Sequence, residues 1–418
     1  MLKVLKFPEI RKKILFTIAI VAIFRLLAHI PVPGVDTSAI KGFLSSNVIF
    51  GFFDLFSGGG FSNFSIVTLG LGPYINASII IQLLTMMIPS LEEMRKEGES
   101  GQERINMYTK FLTVPMALIQ SYGIYFLLSK QGIINTLAPL DLVVLLLTFM
   151  AGSLFLVWLG DLVTEHGVGN GVSLLIFVSI ISSLPSSALV AVTGIFSSNW
   201  HNTVLFAILS ISVIMGVVLI DEGTRNVVLE YGRRGERSQK VTNYLPIKIN
   251  QAGVIPIIFA VSIVSLPGMV GSPFMASDNA HLRVIGAFLT NYFHSNAVLY
   301  NLLYFMLVIA FTFFYTFIQF NPEKVADDIK KRGGFVPGVR PGASTKEYLR
   351  KIVTRTTLAG SIFLGFIAIL PFFLQVFLGM KTLSIGGTSL LIAVSVVLET
   401  VRKAESLMVS RSYEKFLG

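Results

Sequence analysis

Apolar runs close to the thickness of a lipid bilayer recur along the whole chain, and they leave few folds open. They lie at about 14–30, 73–88, 111–128, 142–159, 172–192, 203–220, 253–270, 302–320, 357–378 and 386–398. A hydrocarbon core of about 30 Å is crossed by roughly 20 helical residues. Backbone inside that core must satisfy its own hydrogen bonds, which favours helices. The expected fold is all-α, a polytopic membrane protein of about ten transmembrane helices. Only 13% of the 418 residues are charged, against about a quarter in an average soluble domain.

Charge tests this reading. Lys and Arg cluster before the first run, at Arg95–Lys110, at Arg225–Lys248, at Lys324–Arg355 and after the last run. The intervening loops hold only Lys41, Lys130, Arg283 and Lys381. The positive-inside rule then places both termini in the cytoplasm, with an even number of spans. The basic start followed by an apolar run resembles a secretory signal, but no small-residue cleavage site follows, so a retained first span is expected. Much of the net charge of +10 is topological, and it also suits anionic lipid or RNA. Two polar interruptions stand out, at about 221–250 and 321–351, and neither is long enough to fold alone. Five spans, a basic loop and five more spans allow a two-half architecture.

Chemistry is hard to find. The chain has no cysteine, which removes disulfides, thiolate catalysis and Cys metal sites. The five histidines are scattered without ligand spacing, and no metal, cofactor or catalytic residue is expected. Asp141, Asp161 and Asp221 sit at span ends rather than at mid-membrane, where ion-coupled carriers usually carry acids. That weighs against the main rival reading, a secondary transporter of a small solute. A lipid flippase or membrane enzyme is a third option, disfavoured by the missing nucleophile and metal motifs. Arg25 is the one charge well inside a span. It is either an electrostatic element near an outer vestibule or a snorkelling or bundle-paired arginine. Asn76, Ser78, Gln82 and Gln120 are polar groups within the second and third spans, suited to interhelical hydrogen bonds.

One stretch fits neither span nor ordinary loop: LFSGGGFSNFS, residues 55–65. Gly58, Gly59 and Gly60 interrupt helix. Phe52, Phe53, Phe56, Phe61 and Phe64 keep the segment apolar. Non-helical backbone at membrane depth survives only buried in protein or lining water. The segment either lies partly buried on the outer surface or folds back into a cavity as a removable stopper.

The residues FSGGGFSNFSIVTLGLGPYINASIIIQLL (56–84) resemble the second transmembrane segment of the SecY family of protein-conducting channels. The likeness continues through KEGESGQERINMYTK (96–110), TEHGVGNGVSLLIF (164–177) and LPIKINQAGVIPIIFA (245–260). It ends with FNPEKVADDIKKRGGFVPGVRPG (320–342) and IGGTSLLIAV (385–394). The resemblance implies two pseudo-symmetric five-helix halves, residues 1–196 and 197–418, around a central hourglass pore. It implies a plug half-helix at about 52–64, with Phe52, Phe53, Phe56, Gly58, Gly59, Gly60 and Phe61. It implies an aliphatic constriction of Leu71, Ile75, Val172, Ile176, Ile258 and Ile392. The two close pairs are i,i+4 and share a helix face. A lateral gate would run along Asn76, Ser78 and Gln82 with Gln120 opposite. Arg340, on a Pro/Gly-rich tip, and Arg233, Arg234 and Arg237 would serve partner docking.

The implied activity is a passive conduit for unfolded secretory polypeptides, with lateral release of membrane helices into a bacterial cytoplasmic membrane. The implied partners are the small subunits SecE and SecG, the SecA motor ATPase, the translating ribosome with its rRNA, signal peptides and nascent chains, and the phospholipid bilayer. The third glycine of the plug stretch departs from the family pattern. So do His166, in place of a usual arginine, and Asn226 and Glu230, which dilute the basic loop. Leu71 and Val172 replace the commoner isoleucines and keep the aliphatic character.

Overall fold

The computed structural model describes residues 8–33, 40, 42, 54, 57–134, 137–182, 200–231, 241–275, 279–294, 296–378 and 386–417. A helix falls on each of the ten apolar runs. In chain order α1 spans Pro8–Leu27, α2 Gly72–Met87, α3 Pro89–Lys96, α4 Glu99–Lys130 and α5 Pro139–His166. Then come α6 (Gly171–Ser182) and α7 (Trp200–Glu222). The second part holds α8 (Ile255–Met275), α9 (Ala280–Tyr292), α10 (Val298–Gln319), α11 (Pro322–Lys331), α12 (Ala343–Leu378) and α13 (Gly386–Leu417).

Among the described residues α4, α5, the helix beginning at Val298, and α12 are each long and apolar enough to cross a bilayer. The pair α2 and α3 passes the same test only when taken together, and it is bent by 100° between them. The bend is written in the sequence: Pro89 opens α3, and Ile88 before it is extended, with φ −107° and ψ 112°. A residue preceding proline is kept out of the helical region by the proline ring. α1 is shorter in apolar length because it starts with the charged PEIRKK, and α6 is described only to Ser182.

Helices α2, α4, α5 and α1 pack in sequence, and α7, α8, α10, α12 and α13 pack among themselves. The two groups meet where α8 touches α2 and α4. Lipid tails are as apolar as the side chains, so close packing rather than water exclusion holds such helices. Gly152 of α5 shows how close. A Cβ there would lie 2.1 Å from the Ile66 carbonyl oxygen, and the neighbouring Ser153 Oγ donates to the Gly70 carbonyl at 2.9 Å. Gly152→Ala is expected to destabilise the fold by about 1–3 kcal/mol, the usual range for overpacking. The check is the thermal midpoint of the solubilised protein; an unchanged midpoint would mean the 66–70 segment moves aside at no cost.

The polar interruptions behave differently from their separate appearance in the sequence. Strands β1 (Thr224–Tyr231) and β2 (Val241–Lys248) pair antiparallel from Thr224↔Lys248 to Tyr231↔Val241. A short β3 (Gly334–Phe335) joins β1 at Glu230↔Phe335 and Tyr231↔Gly334. Val227 and Leu229 alternate inward and pack with Ile247, Ile329, Val336, Leu349 and Val353. Each loop is too short to fold alone; together with the start of α12 they share one small core. α12 is accordingly longer than its apolar run, beginning at Ala343. The helix α9 was not anticipated, and it packs closely against α8.

Candidate functional site

The core common to both helix groups is aliphatic at the place where the family pattern puts a constriction. Leu71 precedes α2 and Ile75 lies in its first turn. Ile176 comes from α6, Ile258 from α8 and Ile392 from α13. All five are buried in one cluster. Val172 packs at its edge, only partly buried, with a methyl carbon that would meet a Cβ on Gly160 of α5 at 3.0 Å. Side chains from distant parts of the sequence thus share one buried hydrophobic cluster. Such a lining offers no directional contacts and can dewet.

The glycine-rich stretch is folded against this core. Gly58 and Gly59 have φ of +66° and +85°, a region L-residues rarely adopt and glycine enters freely. A Cβ on Gly58 would sit 2.9 Å from the Phe24 ring and 3.2 Å from Ser179 Oγ, so α1 and α6 close on it from two sides. Gly60 has no room either: a Cβ would meet the Ser57 and Val67 carbonyls at 3.1 and 3.0 Å. Phe61 and Phe64 are fully buried in a second cluster with Ile124, Leu128 and Phe149. Within the segment the Ser62 amide donates to Asp54 Oδ1 at 2.7 Å and the Phe61 amide to Ser57 Oγ at 2.9 Å. Burial pushes the Asp54 carboxyl above its ordinary value, and the Ser62 hydrogen bonds oppose that rise.

Residues 58–64 form consecutive turns rather than the half-helix expected over the whole segment, because the glycines break it. They are a tightly formed element, not a slack hinge. Phe52, Phe53 and Phe56 lie outside the described residues.

Arg25 meets this element. Its Nη1 donates to the Gly58 carbonyl at 2.7 Å, and its own carbonyl lies 2.8 Å from His29 Nδ1. The bland alternative for Arg25, pairing inside the bundle, is what the geometry gives, but the group it pairs with is the glycine-rich stretch.

At the seam, Gln82 Nε2 donates to Ser78 Oγ at 2.9 Å, and Gln82 lines a crevice together with Tyr315 of α10. Gln120 Oε1 faces Gly72 at the start of α2, where a Cβ would lie 3.7 Å away. Asn76 is half-buried on α2. In the same crevice Arg95 Nη2 of α3 donates to the Ile318 carbonyl of α10 at 2.6 Å.

On the polar platform, Arg340 is exposed on a tip whose Gly338 and Gly342 have φ of +79° and +100°. Its carbonyl accepts from Thr345 Oγ1 at 2.9 Å, and Val339 N donates to the Val336 carbonyl at 3.0 Å, so the tip is held. Arg233, Arg234 and Arg237 lie outside the described residues. His166 is exposed beside Glu165, at 3.8 Å.

Sequence reasoning missed a polar knot behind the platform. Asn250 Nδ2 donates to Asp221 Oδ1 at 2.6 Å, Ser395 Oγ donates to Asp221 Oδ2, and Arg402 Nη2 donates to the Asp221 carbonyl at 2.7 Å and to Glu222 Oε1 at 2.7 Å. The knot joins the end of α7, the loop after β2, and α13. Its members are scattered in sequence, so no local pattern announces them.

The comparisons with known proteins converge. The family model described as SecY matches residues 65–401. The protein translocase subunit SecY of Streptomyces scabiei is 40% identical over 431 residues, covering 99% of this chain and 98% of that one. The protein of the same description from Corynebacterium glutamicum is 41% identical over 441 residues, covering 99% and 98%. Among solved structures, one described as a protein conducting channel aligns with TM-score 0.63 at 18% identity, covering 96% of this chain and 93% of that one. One concerned with the plug domain of SecY in the closed state aligns with TM-score 0.66 at 19% identity, with the same coverage. Low identity makes the structural likeness evidence of fold. The full-length sequence identity and the family match go further: this chain is a member of the SecY family.

Proposed function

We propose that this chain is the conducting subunit of a protein translocase. It would let unfolded secretory polypeptides thread the cytoplasmic membrane and release hydrophobic helices sideways into the bilayer. The observation that carries this is that Leu71 and Ile75 at the start of α2, Ile176 of α6, Ile258 of α8 and Ile392 of α13 share one buried hydrophobic cluster, with the Gly58 turn packed against it. The relatives' description as translocase subunits and the channel-type neighbours support the same reading.

In this reading Leu71, Ile75, Val172, Ile176, Ile258 and Ile392 form a deformable gasket. Residues 52–64 are the plug. Residues 1–196 and 197–418 are the two halves, and both termini are cytoplasmic. The conduit carries no catalytic group of its own, so partners supply the energy: SecA, or a ribosome whose rRNA phosphates suit Arg233, Arg234, Arg237 and Arg340. Solved relatives include a channel in a ribosome complex, which supports the ribosome. SecE and SecG complete the proposed assembly.

Depletion in the host tests the function. Uncleaved secretory precursors should accumulate. Normally processed precursors together with the collapse of one solute's uptake would instead establish a carrier.

The gate reading yields its own result. The amide of Asn76, half-buried on α2, keeps closure of an apolar seam marginal. Asn76→Leu should tighten that seam and reduce export from weak signal sequences several-fold, while strong signals are spared. Pulse-labelled export of paired weak and strong reporters is the measurement. Equal export of both would remove Asn76 from the gate.

A further inference from the structure

A crevice of about 230 Å³ lies between the α2–α3 bend and the end of α10. Its polar lining is Gln82, Thr85, Arg95, Gln102, Tyr315 and Gln319, over an apolar floor that includes Ile105. No acidic side chain lines it among the described residues. Arg95 is half-buried and spends one N–H on the Ile318 carbonyl. A guanidinium has five N–H donors in a rigid fork, so most of its capacity faces the crevice. Three primary amides and a phenol add donors around it.

Depth tells what such a donor set meets. α2 runs apolar to Met87, and α3 then reads PSLEEMRK. α10 runs apolar to Gln319, and Asn321 caps the charged α11, PEKVADDIKK. The crevice sits between these two transitions, the level at which helices leave hydrocarbon and meet phosphodiesters.

We propose that this crevice binds the phosphodiester headgroup of an anionic phospholipid, with Arg95 as its charged ligand. Arg forms paired, charge-assisted hydrogen bonds to phosphate, stronger than a bond to a neutral carbonyl. The missing carboxylate matters twice: nothing repels the phosphate, and nothing holds the cation of a zwitterionic headgroup. The Ile318 carbonyl takes only one N–H, so the strap between α3 and α10 persists while the phosphate takes the remaining donors. The site stands whether or not the chain conducts polypeptides, so its test reads lipid and not transport.

The test is native mass spectrometry of the full chain, purified with its small subunits and offered phosphatidylglycerol or phosphatidylcholine of identical acyl chains. The wild type should retain one phosphatidylglycerol about tenfold more strongly than phosphatidylcholine, the scale of one charge-assisted contact. Arg95→Gln should lose that preference. Gln319→Glu keeps Arg95 but places a carboxylate in the crevice that repels phosphate and occupies the guanidinium, and it should lose the preference too. This second variant decides the matter if Arg95→Gln misfolds. Equal retention of the two lipids overturns the proposal, as does a phosphatidylglycerol preference that survives Gln319→Glu. Displacement of the lipid by millimolar inorganic phosphate would make it a free-anion site and overturn the lipid assignment.

Discussion

Arg25→Gln is expected to raise export of reporters with defective signal sequences by about tenfold or more. The Gly58 carbonyl accepts from Arg25 at 2.7 Å in a half-buried site. A hydrogen bond to a charged group contributes about 1.5–3 kcal/mol, and each 1.4 kcal/mol is about a factor of ten in an equilibrium. Glutamine is shorter and neutral, so the carbonyl loses its donor while α1 keeps a good helix former. In the proposed reading, where residues 52–64 are the plug, that segment then leaves its seat more readily, and weaker signals suffice to open the channel. Arg25→Lys, which keeps the charge but not the planar fork, should fall between. Reporter export and resting ion conductance in planar bilayers give two readouts. If neither moves, Arg25 does not hold the plug.

The second large effect concerns the gasket. Changing Ile75 and Ile392 together to serine should raise resting ion conductance by about an order of magnitude, while polypeptide passage continues. Both side chains are buried in the shared aliphatic cluster. Hydroxyls there stabilise water in a waist that otherwise dewets. Large-to-small changes in a core also cost about 2–5 kcal/mol each, so a control is needed. Val308→Ser on α10 lies in the same cluster, fully buried and outside the ring. It should lower the thermal midpoint without the leak. A leak equal in the control would reduce the ring to ordinary core.

Much of this was legible beforehand, for identifiable reasons. Span positions follow from hydropathy, because bilayer thickness sets helix length. The kink after Met87 is local to Pro89. The glycine turn declared itself as non-helical, and Gly58 and Gly59 do occupy left-handed backbone. That Leu71, Ile75, Ile176, Ile258 and Ile392 share one buried cluster was not in their spacing. Aliphatics fill every membrane helix, and only the family pattern singled these out. What escaped was long-range. Arg95 finds its acceptor 223 residues away, and Asp221 finds Ser395 174 residues away. The β1 alternation of Val227 and Leu229 was visible, but its cover comes from α11 and α12. α9 escaped because it is amphipathic and too short to cross a bilayer, so a search for spans passes over it.

The pairing of Glu230 with Phe335 carries a consequence for how the molecule is made. Between the two strands the ribosome must synthesise α8, α9 and α10. Until then β1 has one open edge, and the tip bearing Arg340 does not exist. The three-stranded platform is thus completed only after most of the later helices have emerged. A nascent, half-inserted copy therefore lacks the third strand and the held tip that the proposed docking of partners requires.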